Sequence, residues 1–205
     1  MEQIMTKLGK SLLATVAMLS LAATSAEAQG KWSLGIGGGS TIALGTASDP
    51  IAQGGLDLSN GPHGILSVQY TLPSGLGFQI DGMGHWIYGP DFADTDPDRF
   101  DGVKVFNGTA NILYKFQSAG KLSPYVLGGV GFYNYNLFGL DPAASSESET
   151  DFGWNAGAGF DYNVNAKLAI FFEGRFHQIL SSDDAVPSTF NISVLPLSLG
   201  VRLGF

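Results

Sequence analysis

Apolar and polar residues alternate with a period of two in the last segment of the chain. From 195 to 205, Leu, Val or Phe occupies every second position, whereas Arg202, proline, serine and glycine occupy the positions between them. A period of two places the two sets of side chains on opposite faces of a β-strand. The segment 152–162 repeats the pattern, with aromatic residues and alanine on one face and glycine, Asn155 and Asp161 on the other. The chain therefore favours strands that have one bulky apolar face.

Eight segments alternate in this way, and the connections between them differ in length. Long polar connections follow the first, third, fifth and seventh segments, and short ones follow the second, fourth and sixth. This asymmetry and an even number of strands are typical of barrels that cross a membrane. The predicted strands are 32–43, 64–72, 76–88, 103–116, 125–137, 152–162, 168–179 and 190–205.

The fifth segment leaves the choice of its apolar face open, because both sets of alternate positions carry apolar or aromatic side chains. One set is Val126, Val130 and Phe132; the competing set is Tyr125, Leu127, Tyr133 and Tyr135.

The first 28 residues predict a cleaved signal peptide. Lys7 and Lys10 precede an apolar run over 12–23, and Ala26-Glu27-Ala28 supplies the small residues of a cleavage site. The run is shorter than the ~20 apolar residues that a membrane-spanning helix needs, and no later segment approaches that length. We therefore expect an exported protein whose single domain is 29–205, and a helical membrane protein is excluded.

Composition narrows the possible partners. Residues 29–205 contain 8 basic and 16 acidic side chains, which argues against binding to nucleic acid. The chain has no cysteine, so it has no disulfide framework. Glycines near 35–39 and 157–159 are not followed by the Gly-Lys-Ser/Thr of a phosphate-binding loop. The sequence therefore predicts no cofactor.

The bulky faces could line the core of a soluble barrel or meet lipid on the outside of a membrane barrel. The opposite faces are too small and glycine-rich to form a water-facing surface, and aromatic residues cluster near strand ends, as they do at membrane interfaces. The belt expected near the periplasm is Trp32, Tyr70, Tyr114, Phe116, Tyr125, Phe160, Tyr162 and Phe205. The belt expected near the outside is Trp86, Tyr88, Phe106, Tyr133, Tyr135, Phe152, Trp154 and Phe176.

The sequence thus predicts an all-β fold, an eight-stranded antiparallel up-and-down transmembrane β-barrel. Backbone polar groups in hydrocarbon must all be paired, so the first and last strands should join. Pro196 should interrupt the last strand locally, because it has no N–H to donate.

Charged residues also occur on the inward faces. Asp81, Glu173, Arg175 and Arg202 have inward parity and should form an ion network that fills the lumen, because unpaired charges are costly there. Inward glycines should make room for these long side chains. Further candidates for the network are Asp161, Lys115 and His85.

Three stretches resemble outer-membrane β-barrel domains related to the transmembrane barrel of OmpA: "SPYVLGGVGFYNY" at 123–135, "FFEGRFHQIL" at 171–180 and "VLPLSLGVRLGF" at 194–205. The resemblance implies a location in the bacterial outer membrane. It also implies that Val201, Leu203 and Phe205 form the signal read by the outer-membrane assembly machinery.

We expect a monomeric, non-enzymatic protein, embedded among lipid and lipopolysaccharide, with a structural or surface-interaction role carried by acidic extracellular loops. One alternative is a lipid A acyl-chain-modifying enzyme of the kind that uses a catalytic His-x-Ser motif. Here His177 is followed by Gln178 and Ile179, so the serine of that motif is missing, and His177 has inward parity. A second alternative is a narrow channel for small solutes, which eight strands hardly leave room for. In the second long loop, Asp94, Asp96 and Asp98 have calcium-loop spacing but lack its glycine and glutamate.

Overall fold

The computed structural model describes residues 30–90, 101–117, 120–138, 148–180 and 192–205. The predicted signal peptide and most of the second, third and fourth long loops lie outside these ranges. The eight strands are β1 (Lys31–Leu44), β2 (Gly61–Thr71), β3 (Leu76–Tyr88), β4 (Gly102–Lys115), β5 (Leu122–Phe138), β6 (Glu149–Asn163), β7 (Leu168–Leu180) and β8 (Ile192–Gly204).

The strands form a closed antiparallel barrel in which each strand pairs with the next one along the chain. β1 and β8 close the barrel, with a register that runs from Ser33 opposite Gly204 to Leu44 opposite Ser193. Closure leaves no strand edge in the wall, as a position in hydrocarbon requires. The predicted fold is therefore confirmed, and strand boundaries differ from the prediction by at most three residues.

Pro196 interrupts the pairing of β7 with β8, as predicted. The ladder between these strands pairs Gly174 with Leu197 and resumes only where His177 pairs with Val194. The other neighbour is unaffected, because Pro196 remains opposite Thr41 of β1.

The outer surface of the wall is apolar. Ile112, Phe132 and Leu199 are 69%, 65% and 59% exposed, whereas Glu173 and Arg202 are buried inside the barrel. A water-soluble monomer rarely exposes a continuous apolar surface larger than a few hundred Å². Lipid, not water, is therefore the solvent of this face. Among the described residues, no helix has the length and apolar content to cross a membrane.

Aromatic side chains form clusters at both ends of the outer surface. Near the short turns, the ring of Trp32 lies 4.9 Å from that of Tyr70 and 5.6 Å from that of Phe78. Near the long loops, Trp86 packs edge-on against Phe106 with ring centroids 5.8 Å apart. Amphipathic rings are favoured at both boundaries of a bilayer.

The belt prediction is wrong for the tyrosines of β5. Tyr125 and Tyr133 are buried in the lumen, and Tyr135 shares their parity. Val130 and Phe132 face outward instead. Hydrogen bonds from tyrosine hydroxyls to lumen residues stabilise this choice, which hydrophobicity alone left open.

Inward glycines make room for large lumen side chains, as predicted. A β-carbon added to Gly159 would lie 2.7 Å from the hydroxyl oxygen of Tyr125. One added to Gly157 would lie 3.0 Å from Cγ of Arg175. The first distance is shorter than real contacts, and the second is tighter than most of them, so a larger side chain at either position requires movement of the backbone or of the lumen residues.

The first long loop is ordered and enters the barrel. Two 3-10 turns, Gly45–Ala47 and Ile51–Gln53, shape it. Ala47 and Leu58 are buried against side chains that point into the barrel near the loop ends of the strands. The sequence predicts only a polar connection here, so the apolar contact of the loop with the lumen is a finding of the structure.

Candidate functional site in the barrel lumen

Arg175 is the centre of a buried ion cluster at mid-height in the lumen. Its Nη1 lies 2.9 Å from both carboxylate oxygens of Asp81, and its Nη2 lies 2.5 Å from Oε1 of Glu173. The hydroxyl of Thr109 donates to Asp81 over 2.8 Å, and the amide of Asn111 donates to it over 3.0 Å. The structure therefore brings three of the four charged residues selected from the sequence into one cluster.

Arg202 belongs to a second cluster, nearer the short turns. Its Nη1 lies 2.5 Å from Asp161, and Nζ of Lys115 lies 2.6 Å from the other oxygen of that carboxylate. The guanidinium also stacks on the ring of Phe171, at 4.8 Å from its centroid. Asp161 and Lys115, further candidates in the sequence, are thus the direct partners of Arg202.

Tyr125 links the two clusters. Its hydroxyl donates to Oε2 of Glu173 over 3.0 Å, and its ring lies 5.4 Å from the guanidinium carbon of Arg202. We refer to the linked clusters as the lumen network, which comprises Asp81, Lys115, Tyr125, Asp161, Glu173, Arg175 and Arg202. Three carboxylates and three cations balance, so the lumen carries these charges without a net excess.

The three histidines of the chain meet in one layer on the loop side of the lumen network. Ring centroids of His63 and His85 are 5.5 Å apart, and those of His85 and His177 are 6.3 Å apart. The hydroxyl of Thr41 lies 3.1 Å from Nδ1 of His63 and 2.7 Å from Nδ1 of His85. A single hydroxyl is therefore shared between two imidazoles of the layer.

Three of the four remaining ring nitrogens of this layer bind residues of further strands. Nε2 of His63 lies 2.8 Å from Oγ of Ser198, Nε2 of His85 lies 3.0 Å from Oδ1 of Asn107, and Nδ1 of His177 lies 2.8 Å from the hydroxyl of Tyr133. Sequence reasoning missed His63, because the second strand was predicted to begin one residue after it. The parity of His63 with Ser67 and Gln69 was the available signal.

Two histidine contacts invite comparison with catalytic pairs, and both are buried. His63 and Ser198 have the contact of a base and a nucleophile, but both lie within the barrel and away from the lipid face. His177 is fully buried and bonded to Tyr133. The serines that follow it in the sequence, Ser181 and Ser182, lie outside the described residues.

An apolar plug closes the lumen on the loop side of the histidine layer. It joins two side chains of the first long loop to seven from strands that point inward. The plug comprises Ala43, Ala47, Leu58, Ile87, Val103, Val105, Tyr133, Ile179 and Val194. Ala47 and Ile87 are completely buried, so the plug packs as a small hydrophobic core.

The site as a whole is a filled interior. In the parts of the chain that the structure describes, no group of three or more His, Asp or Glu side chains is arranged to hold a metal ion. The calcium-like spacing of Asp94, Asp96 and Asp98 lies outside those parts. Chemically, the arrangement pairs charges, and its side chains fill the space along the axis of the barrel.

The residues of the predicted assembly signal lie on the opposite side of the wall. Val201, Leu203 and Phe205 are 42%, 51% and 44% exposed and follow one another along the outer face of β8 and its end. Their backbone is paired, since the N–H of Phe205 donates to the carbonyl of Trp32 over 2.9 Å.

The chain matches one protein family and several solved structures. The family described as "Outer membrane protein beta-barrel domain" matches residues 11–202. Neisserial surface protein A has 17% identity and a TM-score of 0.63, with 85% of this chain and 97% of that one covered. Ail of Yersinia pestis has 18% identity and a TM-score of 0.55, covering 86% and 99%.

A third structure, the N-terminal β-barrel domain of Pseudomonas aeruginosa OprF, has 17% identity and a TM-score of 0.54, with 86% of this chain and 100% of that one covered. At such identities the likeness shows the fold alone. No curated protein matches the sequence.

Proposed function

Because the chain belongs to the outer-membrane protein β-barrel domain family and resides in the bacterial outer membrane, we propose that it is a closed scaffold that presents acidic loops at the cell surface. The observation that carries this proposal is the apolar plug. Through Ala47 and Leu58, the first long loop packs into the mouth of the barrel. A loop used in this way fixes the rim from which the other long loops extend.

The filled lumen favours a function as a scaffold rather than as a channel. A small solute would have to pass the apolar plug, the histidine layer and the lumen network in succession. Arg175 and Glu173 in the network and His177 in the layer are each no more than 1% exposed. Eight-stranded barrels have an interior that side chains just fill, and this one follows that rule.

The charge of the long loops supports a role in surface interaction. At the loop end, the described acidic residues include Asp49, Asp57, Asp101, Glu149 and Asp151. The sequence adds further Asp and Glu within 91–98, 141–147 and 183–184. Acidic loops on a rigid wall favour partners with a positive surface and speed their encounter.

The proposal extends to the surroundings of the barrel. The outer face is fitted to lipid and, on the loop side, to lipopolysaccharide, and we propose that the protein acts as a monomer. Val201, Leu203 and Phe205 serve as the signal for the outer-membrane assembly machinery.

The test uses intact cells that carry a photo-cross-linker in each long loop. We expect a discrete cross-linked species that is lost when the acidic residues of one loop are replaced by Asn or Gln. As matched controls, Ser145→Asn and Ser146→Asn change the third long loop without changing its charge and should keep the species. Cross-linking that ignores loop charge would contradict the surface role, and stepwise conductance in planar bilayers would contradict the closed scaffold.

A further inference from the structure

A cavity of about 400 Å³ opens at the end of the barrel that carries the short turns. The turns after β2 and β6 and the ends of β1, β7 and β8 surround it. Its basic lining residues are Lys31, Lys115, Lys167 and Arg202, and Asp161 is its acidic one. Short turns of such barrels face the periplasm, so the cavity is the periplasmic mouth.

The single carboxylate of the mouth is already neutralised. Asp161 binds both Arg202 and Lys115, at 2.5 and 2.6 Å. These three groups form the floor of the cavity and together carry one positive charge, and the carboxylate that balances it lies deeper, in the cluster around Arg175. An anion that enters the mouth therefore meets no competing free carboxylate in the lining.

Lys31 and Lys167 lie at the rim, on either side of the end of β8. The N–H of Gly204 donates to the carbonyl of Lys167 over 2.7 Å, and the N–H of Phe205 donates to the carbonyl of Trp32, which follows Lys31. The strand register thus holds the backbones of both lysines at one place, although their side chains are exposed. Neither lysine has a salt bridge among the residues that the structure describes.

Basic and acidic residues are concentrated at opposite ends of the barrel, with the basic ones at the end that carries the mouth. Of the eight basic residues beyond position 28, five belong to the periplasmic end: Lys31, Lys115, Lys121, Lys167 and Arg202. The loop end carries most of the acidic residues. This separation of charge gives the barrel a dipole whose positive end lies at the mouth.

We propose that the periplasmic mouth binds a phosphate group, with Lys31 and Lys167 as direct contacts above the floor formed by Arg202, Asp161 and Lys115. A volume of about 400 Å³ is adequate for a phosphate with a small organic group attached. The phosphate could belong to a soluble phosphomonoester or to the headgroup of a periplasmic-leaflet phospholipid, and the two sources share this chemistry.

The test is calorimetric titration of the full mature barrel in a non-ionic detergent. The probes are glycerol 3-phosphate and dihexanoyl phosphatidylglycerol. We expect saturable binding that weakens at least tenfold in the double variant Lys31→Gln/Lys167→Gln. Lys121→Gln is the control, because it removes one positive charge from the same end of the barrel but Lys121 does not line the cavity.

The outcomes separate the alternatives. Tighter binding of glycerol 3-phosphate indicates a soluble ligand, and tighter binding of the short-chain lipid indicates a headgroup. Absence of saturable binding by either probe overturns the proposal. An equal loss in Lys121→Gln also overturns it, because the attraction is then a diffuse property of the basic end. A shift of the unboiled band on a gel verifies that each variant is folded.

Discussion

The two halves of the lumen are filled by different chemistries. Towards the short turns, the lumen network joins charged side chains from five strands through directional ion pairs and hydrogen bonds. Towards the long loops, the apolar plug consists of side chains without directional requirements, apart from the hydroxyl of Tyr133. The difference explains why only the plug accepts side chains from a loop: an apolar surface can be completed from any direction, whereas a buried ion needs one particular partner.

The halves should also respond differently to substitution, and the largest effect is expected in the lumen network. Arg175→Met leaves Asp81 and Glu173 as buried carboxylates without their cation. We expect the free energy of unfolding to fall by about 3 to 5 kcal/mol, the usual cost of removing one partner of a buried ion pair. Urea unfolding in detergent micelles measures it.

The control for this prediction removes one charge of each sign. In Arg175→Met combined with Asp81→Asn, two carboxylates and two cations remain in the lumen network, so its charges balance again and part of the lost stability should return. If the double variant is less stable than Arg175→Met alone, pairing is not what stabilises this half of the lumen.

A smaller effect is expected in the plug. Leu58→Ala removes apolar volume that the loop contributes, and it should lower the free energy of unfolding by about 2 kcal/mol, near the low end for a buried leucine. Ile51→Ala is the matched control, because Ile51 belongs to the same loop but is 48% exposed. Its substitution should change stability by no more than about 0.5 kcal/mol.

Hydrogen exchange checks the same comparison locally. Amides of the first long loop should exchange faster in Leu58→Ala, since the loop then loses its anchor in the lumen. Equal stabilities and equal exchange in the two variants would mean that the loop only rests on the barrel.

The sequence predicts the lumen network better than the plug, and the reason is physical. A charged residue such as Arg175, on the face opposite the bulky apolar residues, must point into the lumen. Its partners must then be other charged residues that point inward. Apolar residues such as Ile87 carry no such information, because the same side chain suits lipid and core equally. The partner of each ion also escaped prediction: parity gives the face of Arg202, but only the register brings it to Asp161.

The tyrosines of β5 also show why the sequence alone does not decide which side chains enter the lumen. Both faces of this strand are apolar by composition, so the period of two could not decide which one meets lipid. The decision depends on the hydroxyls, which reach Glu173 from Tyr125 and His177 from Tyr133. These partners lie 44 or more positions away in the sequence.

The smallest effect is expected at the boundary between the two halves, where Thr41 lies. A hydroxyl has one hydrogen to donate, so Thr41 can donate to Nδ1 of one imidazole and accept from Nδ1–H of the other. Nε2 of His85 faces Oδ1 of Asn107, an acceptor, so it carries the hydrogen and Nδ1 of His85 accepts from Thr41. Nδ1–H of His63 then donates to Thr41, and the two rings are opposite tautomers. Thr41→Val removes this constraint and should cost about 1 to 2 kcal/mol, because two buried nitrogens lose a partner.

Thr41→Ser keeps the hydroxyl and separates its effect from that of the methyl group. Nitrogen NMR of the imidazoles should show opposite tautomers for His63 and His85 in the native protein and in Thr41→Ser, and a loss of this relation in Thr41→Val. Equal destabilisation by both substitutions, with unchanged tautomers, would mean that packing rather than the shared hydroxyl holds the layer. The boundary would then belong to the apolar half of the lumen, and directional bonding would end at the lumen network.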